Sequence, residues 1–414
     1  MSINALILYV NKNIHRRIHV YLILCLFIAA LLAAWSLFVR AIDQKRQDIQ
    51  DAYETIPVYI ILSNIAGTRT DGLEIPDYWV EYFISESYSY QGYEQDRAFS
   101  SYVENVQIKT TLYYKLNPSG AEPTGGALPV NQKLIGITDM SAAGAGEALS
   151  AKVVFLPGYD ESFLGSDEHV CIVSEKTAAM MNEDNSIHLA IQASPVGDKA
   201  LVLSLNVIGI HHSDDDFIYC PWQLAVDCQT ALEGHYTADS LRTTVRDNTE
   251  LSEFCQILSR HFCAVTPSGK APEMHDSPVL THYAYAAIIQ DEELNRSLQD
   301  LNKSLRMLEL IRTPLLIVVI LLGACMGALF VHSQEGDLKT AHMLGTSTIQ
   351  ILSILGIELL GWLPLGLLLG MGLVSAAWKI NVQILVAIGI GISTLLGSIV
   401  CCLTQIDGKR GAFI

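Results

Sequence analysis

The sequence predicts an integral membrane α-helical protein, with four transmembrane helices and a large extracytoplasmic α+β domain inserted between helices 1 and 2. Three observations predict it. Half of the 414 residues are hydrophobic and the mean hydropathy is +0.31, yet the chain carries 43 acids and 26 bases; neither a wholly soluble nor a wholly embedded chain reads this way. Four apolar runs, Val20 to Val39, Pro314 to Val331, Ile351 to Trp378 and Val382 to Leu403, are each long enough for a helix across roughly 30 Å of hydrocarbon. The charges are segregated: four of the acids and eight of the bases lie outside residues 42–312, which leaves that segment a formal charge of −21.

The first run follows Lys12, Arg16 and Arg17 and gives way to Arg40 and Asp43, where a secretory signal would need small residues. At about 20 apolar residues it is also longer than an ordinary signal core, so it is expected to stay in the membrane. Cations before the first run, with Lys409 and Arg410 after the last, place both termini in the cytoplasm by the positive-inside rule. The chain then divides into residues 1–41 (cytoplasmic N-terminus and first span), 42–287 (outer domain), 288–312 (stalk helix) and 313–414 (spans two to four, with a cytoplasmic segment at 333–348). The expected location is a plasma or inner membrane, crossed several times.

Within the outer segment, strands are expected at Ile56–Ser63, Val103–Tyr114, Val170–Ser174, Ala200–Ile210 and Phe217–Cys220, from their β-branched and aromatic content. Helices are expected at "SEKTAAMMNE", opened by Ser174 as N-cap, and at "NTELSEFCQILSRHF", opened by Asn248. Leu116 to Pro129 is rich in Gly and Pro and reads as a surface loop. "HHSDDD", His211 to Asp216, has metal-ligand residue types but no ligand spacing and reads as a solvated loop. Ser162 in "GYDESFLG" lacks the Gly-x-Ser-x-Gly elbow. Cys255 and Cys263 would stand about 12 Å apart on a helix, beyond disulfide reach. Mostly reduced, buried cysteines are expected, with a Cys220–Cys228 bridge left open.

Before the second span, Leu294, Leu298, Leu301, Leu305 and Leu308 recur at heptad spacing. The stripe has two readings: packing against its own domain or the first span's extension, or a stalk that transmits movement or pairs with a second subunit. In the third span stands Glu358, whose ionised form costs about 3 kcal/mol at mid-bilayer, so a partner or an interior position is expected. "GACMG" and "GLLLG" offer sites of close helix approach.

The polar island "EGDLKTAHMLGTS", Glu335 to Ser347, separates the second run from the third. Its charged turn, its amphipathic helix ending in Leu-Gly-small-Ser and the Glu in the span that follows resemble the signature of FtsX/MacB-type ABC transporter permeases. Leu344, Gly345 and Ser347 match that pattern, Asp337 stands for its usual Glu, His342 for its usual basic residue, and Glu358 for its intramembrane Glu. "VCIVSEKTAAMM", "LNVIGI" and "IYCPW" are similar to the core of that family's outer domain. The resemblance implies that the island is the coupling helix that touches a cytosolic ABC ATPase subunit. It also implies a second permease copy or paralogue as partner, besides the lipid bilayer. Leu338, Ala341, His342, Leu344 and Gly345 can form one modest docking face, and Gly345 is expected in the left-handed conformation that turns the chain back toward the third span.

No G-x-x-x-x-G-K-[ST] phosphate loop occurs, so ATP hydrolysis is expected in a separate polypeptide and no enzymatic activity in this one. No cofactor and no nucleic-acid partner are expected. The expected function is a permease subunit coupling ATP hydrolysis to movement of its outer domain, for export or force transmission. The alternative is a membrane-anchored receptor or sensor, or a regulator of a cell-wall hydrolase, without transport.

Overall fold

The structure, a computed structural model, describes residues 16–85, 99–117, 132–143, 149, 152–180, 184–197, 199–213, 215–265, 284–375 and 381–407. The loop expected at 116–129 falls almost wholly outside them. Four helices are long and apolar enough to cross a membrane, and the chain forms two compact units, Met1–Gln50 with Gln299–Ile414, and Asp51–Leu298.

The helices are α1 (Ile18–Thr55), α2 (Asp77–Ile84), α3 (Glu175–Ala178), α4 (Trp222–Glu233), α5 (Leu251–His261), α6 (Glu292–Ser333), α7 (Glu335–Met343), α8 (Thr348–Ser375) and α9 (Asn381–Asp407). The longer strands are β1 (Tyr59–Asn64), β3 (Val103–Leu116), β4 (Lys133–Ile137), β6 (Val170–Ser174), β7 (Ser186–Gln192), β8 (Leu201–His211), β9 (Ile218–Pro221), β11 (Ser240–Val245) and β13 (Tyr285–Gln290). The short ones are β2 (Ile75–Pro76), β5 (Val153–Phe155), β10 (Thr237–Ala238) and β12 (Cys263–Val265).

In the membrane unit one stripe of each helix is inward. Tyr21, Leu24, Ile28, Leu31, Leu32 and Trp35 of α1 meet Ile351, Leu355, Leu359 and Leu363 of α8, spaced every fourth residue, with Phe330 and Val331 of α6 and Ile390 of α9. Leu22, Ile23 and Leu26 on the other side of α1 stay exposed, as lipid-facing residues do. Both Gly-x-x-x-Gly pairs are used between helices of this one chain. A Cβ on Gly327 of α6 would overlap the Thr394 carbonyl oxygen of α9, and one on Gly370 of α8 would lie 3.1 Å from the Ala29 Cα of α1. Small residues let backbones touch where no hydrophobic drive joins helices in lipid.

The leucine stripe of α6 is buried at Leu294 and Leu298 and half-buried at Leu301, Leu305 and Leu308. Beside it, Arg46 of α1 donates to Glu309 at 2.7 Å, so α1 and α6 are tied beyond the apolar stretch as well as within it.

The inserted domain is built on an eleven-stranded mixed sheet. Six of its strands close on themselves: β3 pairs β4, β4 pairs β9, β9 pairs β6, β6 pairs β8, β8 pairs β7, and β7 returns to β3. The ring explains why "VCIVS" is apolar throughout instead of alternating. Cys171 and Val173 enter a core with Leu112, Leu134, Leu205 and Cys220, while Val170 and Ile172 enter another with Ile135, Ile208 and Tyr219 on the opposite face. A strand covered on both sides needs no polar face. All nine cysteines are free. Burial raises the thiols of Cys171 and Cys220, and pushes Cys228 up to about 11, so they act as small apolar side chains.

Two sequence expectations need correction here. Asn248 does not cap α5, whose first residue is Leu251 after Glu250. Its amide instead donates to the carbonyls of Tyr53 and Ile56 at 2.8 and 2.7 Å, groups at the end of α1 that the helix itself cannot satisfy. Nor is "HHSDDD" a solvated loop throughout. His211 ends β8 fully buried, and Asp216 accepts from Ser174 Oγ at 2.5 Å and Thr177 Oγ1 at 2.9 Å. Ser174 does cap its short helix, accepting from the Thr177 amide. Among the described residues no group of three or more His, Cys, Asp or Glu is placed to hold a metal ion.

His211 gives the inserted domain a pH dependence. Its Nε2 lies 2.7 Å from the Phe217 carbonyl, which can only accept, so Nε2 carries the proton and Nδ1 accepts from Ser213 Oγ at 2.7 Å. The neutral ring is fully satisfied. Burial, opposed by the Phe217 bond and by Asp216 and Asp215, lowers its pKa below 6.5. A histidine with a depressed folded pKa stabilises the fold above its unfolded pKa, and loses that contribution as pH falls toward the folded value. Amide exchange of residues 201–211 in the full-length protein, corrected for intrinsic rates, should therefore quicken from pH 7.5 to pH 5.5. A His211→Gln variant should lack most of that extra change; an equal change in both proteins would refute the assignment.

Candidate functional site

Helix α7 starts where α6 stops, with Gln334 alone between them at φ −103 and ψ 6. Glu335 and Asp337 lie in its first turn, where helix-dipole and orphan amides favour negative charge, and His342 lies in its last. Glu335 pairs with Lys339 one turn on and with His332 Nδ1 at 3.2 Å.

The far end is closed by local chemistry. Gly345 sits at φ 83, its amide donates to His342 O at 3.0 Å, and the Thr346 amide donates to Ala341 O at 3.1 Å. This pair of bonds is a Schellman closure, which needs a left-handed residue at Gly345. Ser347 then opens α8: Gln350 N lies 3.4 Å from Ser347 Oγ, and Ser347 N donates to Gln350 Oε1 at 3.3 Å. A Ser-x-x-Gln capping box starts the third span.

The residues expected on one docking face separate. Leu338 packs against the apolar core of the membrane unit and Ala341 is half-buried, whereas His342, Leu344, Gly345 and Ser347 are exposed. Leu344 and Met343 are each 81% exposed and Ile349 is 77% exposed, so the apolar surface lies at the tip, around the turn. Asp337 is not at that tip. It accepts from Arg17 Nη2 at 2.6 Å and from Arg16 Nη2 at 3.3 Å, while Arg17 Nη1 donates to the Ser333 carbonyl at 2.6 Å.

Behind this clasp lies Glu358, fully buried in α8. Its Oε2 accepts from Tyr21 Oη at 2.9 Å and from Gln334 Nε2 at 3.2 Å, and Gln334 Nε2 also reaches Tyr21 Oη at 3.3 Å. The Tyr21 ring stacks on Trp362 and meets Phe330 edge-on, both at 5.3 Å between centroids. Arg16, Arg17, Tyr21 and Gln334 are the members that sequence reasoning passes over: the arginines count there only as topology charges, and the other two as ordinary residues of a span and its end. The signal that could find them is the rule that an intramembrane carboxylate has a polar partner. The whole assembly is a short helix fixed at its base by polar contacts and bare at its apolar tip.

No protein-family model matches this chain, and no curated protein sequence matches it. Among solved structures it is similar to the periplasmic region of MacB from Actinobacillus actinomycetemcomitans, at 10% identity and a TM-score of 0.31, over 60% of this chain and 95% of that one. It is similar also to the extracellular domain of the noncanonic ABC-type transporter YknZ from Gram-positive bacteria, at 10% identity and a TM-score of 0.29, over 55% and 98%.

Proposed function

We propose that this chain is the membrane subunit of an ABC transporter, in which α7 docks on a separate cytosolic ATPase and passes its movement to the inserted domain, for export or for transmission of force. The observation that carries the reading is the exposed apolar tip, Met343 and Leu344, at the far end of a helix whose base is clasped to its own bundle. A mere connector between spans has no need of such a tip, and two large apolar side chains left exposed side by side outside the spans favour a partner. The sidedness fits: Arg16 and Arg17, which mark the cytoplasmic end of α1, bond to α7. The lack of a G-x-x-x-x-G-K-[ST] phosphate loop supports a separate polypeptide as the site of ATP hydrolysis. A second copy or a paralogue, with a second ATPase, completes the complex.

The test is recovery of an ABC ATPase with tagged protein from native membranes. Leu344→Asp removes an apolar contact and places a charge in the docking groove, and should weaken association by about 2 kcal/mol, roughly thirtyfold, at unchanged membrane level. Recovery of no ATPase with the wild type, or equal recovery with the variant, would overturn the reading.

A further inference from the structure

We propose that Tyr21, Gln334 and Glu358 form a latch that fastens the start of α7 to α1 and α8 together, so that a push on the island reaches the first and third spans in step. The functional meaning rests on the coupling role proposed for α7; the latch itself stands on geometry. Helix α7 is nine residues long, has no buried residue, and is bounded by the break at Gln334 and the left-handed turn at Gly345. Helices this short are marginal by themselves. Leu338 supplies partial apolar packing, and the hydrogen bonds from Arg16 and Arg17 to Asp337 are gathered at its base.

The latch is built for stiffness. Gln334 is 2% exposed and Tyr21 and Glu358 are fully buried, so each bond is shielded from competing water and strengthened by the low local dielectric. Trp362 stacks on the Tyr21 ring and Phe330 meets it edge-on, which restrains the hydroxyl that Glu358 and Gln334 share. Arg17, one turn before Tyr21, grips Asp337. Displacement of α7 therefore loads α1 through Tyr21 and Arg17 and α8 through Glu358, in addition to the covalent links to α6 and α8. Tyr21, Gln334 and Glu358 are positioning residues: none faces the exposed tip, and their part is to set where it stands.

Hydrogen exchange of the full-length protein in lipid nanodiscs tests this without any ATPase. Tyr21→Phe keeps the ring between its neighbours and deletes only the hydroxyl, and Gln334→Met keeps the volume of the amide. Each should speed exchange of the amides of residues 335–344 about tenfold, the contribution of one buried hydrogen bond, with α8 beyond Glu358 unchanged. Because both act on one unit, the double variant should show little more than either alone. Exchange at wild-type rates in both single variants, or strictly additive effects, would overturn the latch. In a second arm, turnover is measured with the ATPase that co-purifies with the wild type. The variants should retain association within twofold but lose stimulation about tenfold, an ordinary coupling free energy; full stimulation would count against the latch. Absence of any co-purifying ATPase would remove the coupling reading and leave the exchange result to judge the latch.

Discussion

Replacing Gly327 with valine should separate α6 from α9 and lower the thermal aggregation midpoint of the full-length protein in detergent by many degrees. The Cβ alone would overlap the Thr394 carbonyl oxygen and lie 2.7 Å from Ser398 Oγ. A flexible side chain could step aside, but that carbonyl belongs to helix backbone and accepts from Ser398 Oγ at 2.8 Å, so the helices themselves must part. The opposing surface is matched in kind: a Cβ on Gly397 would overlap the Ala324 carbonyl oxygen. Overpacking ordinarily costs about 1–3 kcal/mol when side chains relax, and a rigid backbone contact belongs at or above the top of that range. Gly389→Val, on the facing helix α9, is the control, since a Cβ there meets nothing within 4 Å and the substitution carries the same change of propensity. Similar midpoints for the two variants would show that the α6–α9 contact is not as close as described.

The island shows which parts of such a site a sequence exposes. Its closure needs Ala341, His342, Gly345 and Thr346, and its restart needs Ser347 and Gln350; every partner lies within six residues, so the left-handed glycine is readable as a stop. The capping box is equally local. The clasp and the latch are not, because Arg17 and Asp337 stand 320 positions apart and Tyr21 and Glu358 337 apart. Residue type says that Glu358 needs a donor, but no spacing rule selects Tyr21 from the polar residues near the same depth. Helical periodicity treats α7 as a free rod with one apolar face, whereas its neighbours take Leu338 inward and leave Leu344 outside.

The inserted domain divides the same way. Strand existence at Val103–Leu116, Val170–Ser174 and Leu201–His211 follows from composition, to within two residues at each end. The closed ring does not, because it depends on Tyr113–Leu116 pairing with Leu189–Gln192, a long-range choice that alternation alone cannot make. Glycine pairs in spans likewise declare close approach without saying to whom. In this chain both are occupied by its own helices.

The second large effect is expected at Gly136, the penultimate residue of β4. Valine is a better strand former than glycine, so propensity alone predicts stabilisation by up to about 1 kcal/mol. Packing predicts the opposite and should win. A Cβ at this position would overlap Ala225 Cβ and lie 3.3 Å from Trp222 Cα, because α4 crosses β4 with only glycine beneath it. The helix cannot slide away, since Trp222 Nε1 donates to Thr110 Oγ1 at 3.1 Å and Gln229 Nε2 to Thr237 Oγ1 at 3.2 Å, and Leu224, Ala225 and Cys228 sit in the ring's core. Gly136→Val should therefore destabilise the domain by about 3 kcal/mol, read as faster amide exchange across residues 222–233 in the full-length protein. Gly136→Ala should show a smaller loss from the same overlap. Adding Ala225→Gly to Gly136→Ala should recover most of it, despite about 1 kcal/mol of helix propensity given up by the new glycine. If Gly136→Val exchanges as slowly as the wild type, or if Ala225→Gly only adds a further loss to Gly136→Ala, the close crossing of α4 over β4 is wrong.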